Sequence, residues 1–101
     1  MVSENDKINH NSMEETFNEA LELFCKKRKN YGNSFERSLD RRGITAALVR
    51  MDDKTNRIDS LVGQGEGADP EDESLIDTLI DLGNYALMTA TYLREMRREH
   101  E

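Results

Sequence analysis

The stretch that decides the fold runs from Glu73 to Leu93: Glu73-Ser74-Leu75-Ile76-Asp77-Thr78-Leu79-Ile80-Asp81-Leu82-Gly83-Asn84-Tyr85-Ala86-Leu87-Met88-Thr89-Ala90-Thr91-Tyr92-Leu93. Leu75, Ile76, Leu79, Leu82, Ala86, Leu87, Ala90 and Leu93 return at spacings of three and four, which is a helical period and not the alternation of a strand. The helix is expected to open at Pro70, with Asp69 as N-cap, proline at the first helical position and the acids Glu71 and Asp72 in the first turn. Continued to Arg98, it spans roughly 40 Å. Glu73, Asp77, Asp81 and Asn84 share an arc of roughly 80° on this helix. Tyr85, Met88 and Tyr92 border that arc, so the polar stripe has the look of a second contact surface.

Two further helices precede it. Ser12-Met13-Glu14-Glu15 reads as a capping box opening a helix over 12–31, with Met13, Phe17, Ala20, Leu21 and Phe24 on one face. Its end carries Lys26, Lys27, Arg28 and Lys29, which suit the negative end of the helix dipole, and Gly32 is placed to stop it with a positive φ. Ser34 to Leu39 reads as a helical turn, and Gly43 marks a second break. A helix over 44–62 follows, with Ile44, Ala47, Leu48, Met51, Thr55, Ile58 and Val62 on its apolar face. Arg50, Lys54 and Arg57 lie within an arc of roughly 60° at that face's edge. Gly63-Gln64-Gly65-Glu66-Gly67 reads as a linker: no strand precedes it, as a phosphate loop would require, and Glu66 and Asp69 flank it. The fold expected is therefore all-α, with three main helices in a single domain over 12–101 and a disordered tail over 1–11.

Three helices of unequal length close a core poorly, and 101 residues bury only a modest one. Completion of a helical bundle as a homodimer or tetramer is the expected remedy. The formal net charge of −7 argues against bulk nucleic-acid binding, which needs a basic surface. It leaves room for a small nucleotide in a locally basic pocket. Cys25 is the only cysteine, so there is no internal disulfide and no paired-cysteine zinc motif; it reads as a small core residue. No apolar run has the length of a membrane span, and the expected location is the cytoplasm, that of the host if the gene is carried by a phage.

Two stripes carry whatever chemistry there is. Glu73, Asp77 and Asp81 on successive turns could share a hard cation such as Mg²⁺, with Asn84 adding a neutral oxygen. Arg50, Lys54 and Arg57 could hold the phosphates that such an ion bridges, an arrangement suited to a phosphoanhydride. Tyr31 beside Lys29 and Asn30 could stack on a base, with Tyr85 as a second aromatic next to Asn84. Against this stands a ligand-free reading, in which acidic and basic stripes simply form interhelical ion pairs and Tyr31 packs beyond its helix end.

Taken in order, Lys29-Asn30-Tyr31-Gly32-Asn33-Ser34, Gly43-Ile44, Leu48-Val49-Arg50-Met51-Asp52-Asp53-Lys54 with Arg57, and Glu73 through Ala86 resemble the nucleotide-modification-associated domain family, small helical proteins common in phages and prophages. The resemblance covers roughly residues 13 to 93. It implies a nucleotide ligand and points to both stripes as its site. A more distant similarity is to the MazG-like all-α nucleoside-triphosphate pyrophosphatases, which pair an ExxE motif with an ExxD motif around Mg²⁺. Glu19 and Glu22 match the first motif; Asp77 and Asp81 resemble the second, with a spacing of four in place of three. These similarities imply a phage-derived protein that acts on a nucleotide or, as a non-enzymatic sponge, sequesters a nucleotide signal of host defence. A structural module held by salt bridges is the remaining alternative.

Overall fold

The computed structural model describes residues 6–64 and 73–100. All the regular structure among them is helical: α1 (His10–Tyr31), α2 (Ser34–Arg42), α3 (Thr45–Gly63) and α4 (Ser74–Glu99). The chain divides into two compact units, Met1–Gly32 and Asn33–Glu101. The expected linker beyond Gln64, the Asp69 cap and the Pro70 start lie outside the described residues, as do the first five residues of the expected tail.

The first unit is α1. It begins two residues earlier than the Ser12 capping box predicts, because Asn9 is the cap. The Asn9 side chain accepts from the Ser12 amide at 3.0 Å, and the Ser12 hydroxyl accepts from the Asn9 amide at 2.9 Å. Ser12 thus serves the box from its inner end, and His10 and Asn11 are helical rather than tail. No residue of α1 is buried, and Met13, Phe17 and Leu21 stand exposed along one side. Cys25 is exposed too, so the reading of it as a core residue does not hold. At the far end Gly32 takes φ 63° and donates its amide to the Arg28 carbonyl at 2.8 Å, as its position after the basic run predicts.

The second unit packs α2 and α4 against α3. The expected turn at Ser34 is a full helix, because Gly43, at φ 70° and ψ −159°, closes it by donating to Leu39. Leu39, Ala46 and Ala47 form the buried cluster, with Phe35, Met51 and Tyr92 packed against it. On α3 the inward residues are Ala47, Met51, Lys54, Ile58 and Leu61, at spacings of four, three, four and three. Ile44, Leu48 and Val62, expected on that face, are exposed. Both rows have a helical period, and α4 packs against the one that contains Lys54.

A larger correction concerns α4. Its three buried residues are Thr78, Asn84 and Thr89, all polar, while Ile76, Leu79, Leu87 and Leu93 of the expected apolar face are exposed. The less exposed side of α4 is mixed: Leu75 and Leu82 of the expected face, and Met88, are half-buried beside Thr78, Asp81 and Tyr85. The hydroxyls on it are accommodated because the helix satisfies them itself: Thr78 donates to the Ser74 carbonyl and Thr89 to the Tyr85 carbonyl, each at 2.7 Å.

Candidate functional site

The contact between α3 and α4 is built around charge. Lys54 Nζ lies 3.3 Å from Asp81 Oδ2, and Arg57 Nε donates to Thr78 Oγ1 at 3.3 Å. Residue numbers rise along α3 as they fall along α4, so the two helices run antiparallel. Lys54 therefore sits in the middle of the contact row and not at the edge of an apolar face, with Met51 and Ile58 one turn to either side. Its side chain is 25% exposed and that of Asp81 is 19% exposed. A pair this sheltered is screened less than a surface pair, yet its groups still reach water.

Thr78 uses its hydroxyl in both directions. It donates to the Ser74 carbonyl and accepts from Arg57, which ties the exposed Arg57 side chain to α4. Arg50, one turn from Lys54, is exposed. Asn84 is buried at 8% exposure, and Tyr85 beside it meets the Phe35 ring edge-on with centroids 5.1 Å apart. The structure thus brings together Lys54, Arg57, Asp81 and Thr78, with Asn84 and Tyr85 following on α4 within a turn of Asp81.

The three acids of α4 do not gather. Asp81 turns to Lys54, while Glu73 at the N-cap and Asp77 in the first turn are exposed. Among the described residues no group of three or more His, Cys, Asp or Glu side chains is arranged to hold a metal ion. Within α4, then, Glu73, Asp77 and Asp81 do not converge on one point as ligands of a shared ion would. Lys29, Asn30 and Tyr31 lie exposed at the end of α1 in the first unit.

Sequence reasoning passed over two participants. Thr78 was hidden by its apolar neighbours Leu75, Ile76 and Leu79, although it falls three residues before Asp81 on the side that meets α3. Asp40 is the other: the hydroxyl of Tyr92, a residue that borders the polar arc, donates to Asp40 Oδ1 at 2.6 Å, tying α2 to α4 beside the buried cluster. That bond to Asp40, with some burial, raises the Tyr92 phenol above its ordinary value of 10.0. Only a contact between residues 52 apart in sequence reveals this pair.

No helix among the described residues is long and apolar enough to cross a membrane. Comparison of the chain with protein-family models, with curated proteins and with solved structures gives no match in any of the three.

Proposed function

We propose that this protein binds a small nucleotide, and that the Lys54–Arg57 side of the α3–α4 contact receives its phosphates. The observation that carries the reading is the convergence of Lys54 and Arg57 on one polar strip of α4, with Arg50 exposed on the adjoining turn. Two fixed cations and a third within reach match a polyphosphate better than a single carboxylate. Tyr85 offers an aromatic surface for a base, and buried Asn84 an amide. Local positive charge of this kind works inside an acidic chain, and it selects small anions over long nucleic acids. The likeness to phage nucleotide-modification-associated domains, a phage or prophage origin and a host-cytoplasmic setting belong to the same reading. Capture and turnover are both within it.

The second reading is the ion-pair module. It is favoured by the direct contact of Lys54 with Asp81, which satisfies both groups without a ligand.

One experiment separates the readings. Purified protein is incubated with a broad panel of mono-, di- and triphosphates, cyclic nucleotides and ADP-ribose compounds, with and without Mg²⁺. The protein is then filtered away and heat-denatured, and both fractions are chromatographed. A nucleotide removed from the filtrate and released intact is the result expected of capture. Conversion to products means turnover. If no nucleotide is bound or changed, and none raises the melting temperature as a ligand of the native state must, the ion-pair module is correct.

A further inference from the structure

None of the 22 residues of α1 is buried, yet the helix carries a regular apolar row. Met13, Phe17, Ala20, Phe24 and Tyr31 stand at spacings of four, three, four and seven, the steps of a coiled-coil seam. Met13, Phe17 and Tyr31 are 41%, 56% and 69% exposed. Helices in proteins draw most of their stability from packing such a row, so α1 has a face that wants a partner.

The edge of that row says which partner fits. Glu14, Leu21 and Arg28 follow one another at steps of seven, in a line within an arc of roughly 40° along one side of the seam. Glu14 and Arg28 are equally far from Leu21. A two-fold axis beside Leu21 brings the same edge of two antiparallel helices together, so Glu14 of each copy meets Arg28 of the other and Leu21 meets Leu21. Glu14 already lies 3.7 Å from His10 Nδ1, but a carboxylate accepts from more than one donor. Relief agrees with charge. In this register the two helices overlap almost completely, and Phe24 lies against the small Ala20. Tyr31 comes to an open hollow of about 310 Å³ between His10, Met13, Glu14 and Phe17.

From this arrangement we infer that α1 is a two-fold homodimerisation helix, paired antiparallel with α1 of a second copy about Leu21, with Glu14 of each facing Arg28 of the other. The occupant is a second copy because charge, spacing and hollow are all supplied by α1 itself. Within the helix the four acids, Glu14, Glu15, Glu19 and Glu22, precede the cations Lys26, Lys27, Arg28 and Lys29. A parallel pair would set like charges together, and the acids oppose an anionic membrane surface. The inference is independent of the nucleotide reading, whose Lys54 and Arg57 belong to the second unit.

The test uses the full chain without ligand. Sedimentation over a range of concentrations is expected to show a dimer for the native protein. Glu14→Arg and Arg28→Glu are each expected to raise its dissociation constant about tenfold or more, with helical circular dichroism kept. The double variant should restore it. Only a contact between copies can do so, because the two positions are about 21 Å apart along one helix. In a Cys25→Ser background, Leu21→Cys should give a covalent dimer with oxidant or a short bis-maleimide. Met13→Cys should give none, since the antiparallel crossing sets its two copies about 24 Å apart along the helices. The crosslinking stands even if the charge variants fail to fold. A native protein that is monomeric at the highest concentration tested overturns the inference, as do single swaps without effect or a double variant no better than either. Crosslinking at Met13→Cys, which means a parallel pair, overturns it too, and so does none at Leu21→Cys, which means a dimer formed elsewhere.

Discussion

Replacing Asp81 by asparagine should weaken the fold and strengthen anion binding in the same variant. The two groups lie 3.3 Å apart, with side chains 25% and 19% exposed. At an effective dielectric constant near 20, the gross attraction over that distance is about 5 kcal/mol. Most of it is offset by the loss of hydration. The expected net cost of the variant is about 1–2 kcal/mol, between the small value of an exposed pair and the larger penalty of breaking a buried one. Asparagine keeps the size of the side chain and an oxygen for Lys54, so packing against α3 is preserved. The same change releases Lys54 from a carboxylate and removes the negative charge nearest to an incoming phosphate. If that gain is of the same size, affinity rises about 5- to 30-fold.

The probe is inorganic tripolyphosphate, which carries the phosphate chemistry without depending on the identity of a base. Calorimetric titration gives its affinity for native protein, Asp81→Asn and Lys54→Met. Urea unfolding followed at 222 nm gives stability, with an unchanged slope as the check that the native state is the same. Lys54→Met is expected to lose most of the binding. Weaker binding by Asp81→Asn would refute the reasoning, because the carboxylate would then be part of the ligand site. Unchanged binding would refute it as well, since Lys54 would lie outside the site.

Gly43→Ala should destabilise the second unit by about 1–3 kcal/mol, measured by the same urea unfolding, although no atom lies within 4 Å of the added Cβ; the cost is that of φ 70° with ψ −159°, a region open essentially to glycine. Asp40→Asn should lower the alkaline midpoint of Tyr92 toward 10.0, seen as a phenolate signal at about 295 nm that is assigned by a Tyr92→Phe control. Because folding raises this phenol, the Tyr92–Asp40 bond contributes in full below the unfolded value and is lost as pH climbs through the folded one. Stability should therefore fall at alkaline pH more steeply in the native protein than in Tyr92→Phe.

The helices were legible in the chain because period and punctuation are local. Thr45–Gly63 differs from its expected span by one residue at each end, and Gly32 has the positive φ that its place after a basic run implies. The start of α1 was misplaced because Asn9 and Ser12 cap each other reciprocally, and only the geometry tells which is outside. α2 was read as a turn because nine residues with two apolar side chains carry little periodic signal. What lay beyond local reading was orientation. Periodicity defines a face but not what stands opposite it, and α3 and α4 each offer two faces. The packed faces are the ones with Lys54 and with Thr78 and Asp81. The resulting ion pair joins residues 27 apart, a separation no spacing rule covers.

That orientation has a thermodynamic consequence. Among the described residues the second unit buries only Leu39, Ala46, Ala47 and Leu61 as hydrophobics, beside Thr78, Asn84 and Thr89. Hydroxyls and an amide in these positions contribute far less than aliphatic side chains would, since a satisfied hydrogen bond mostly replaces one made to water. A folded chain whose interior is this thin gains from any further apolar surface it covers, and the exposed apolar side of α4, with Ile76, Leu79, Leu87 and Leu93, is one such reserve. If it is covered by a second copy, folding and association are one equilibrium and the midpoint depends on concentration. Each tenfold increase in protein is then worth about 1.4 kcal/mol per dimer, and the melting temperature should climb by about 3–5 °C. Leu87→Glu should melt lower and show no such climb. A native midpoint that stays flat over a hundredfold range in concentration would mean that the unit is stable alone, and that its polar interior suffices.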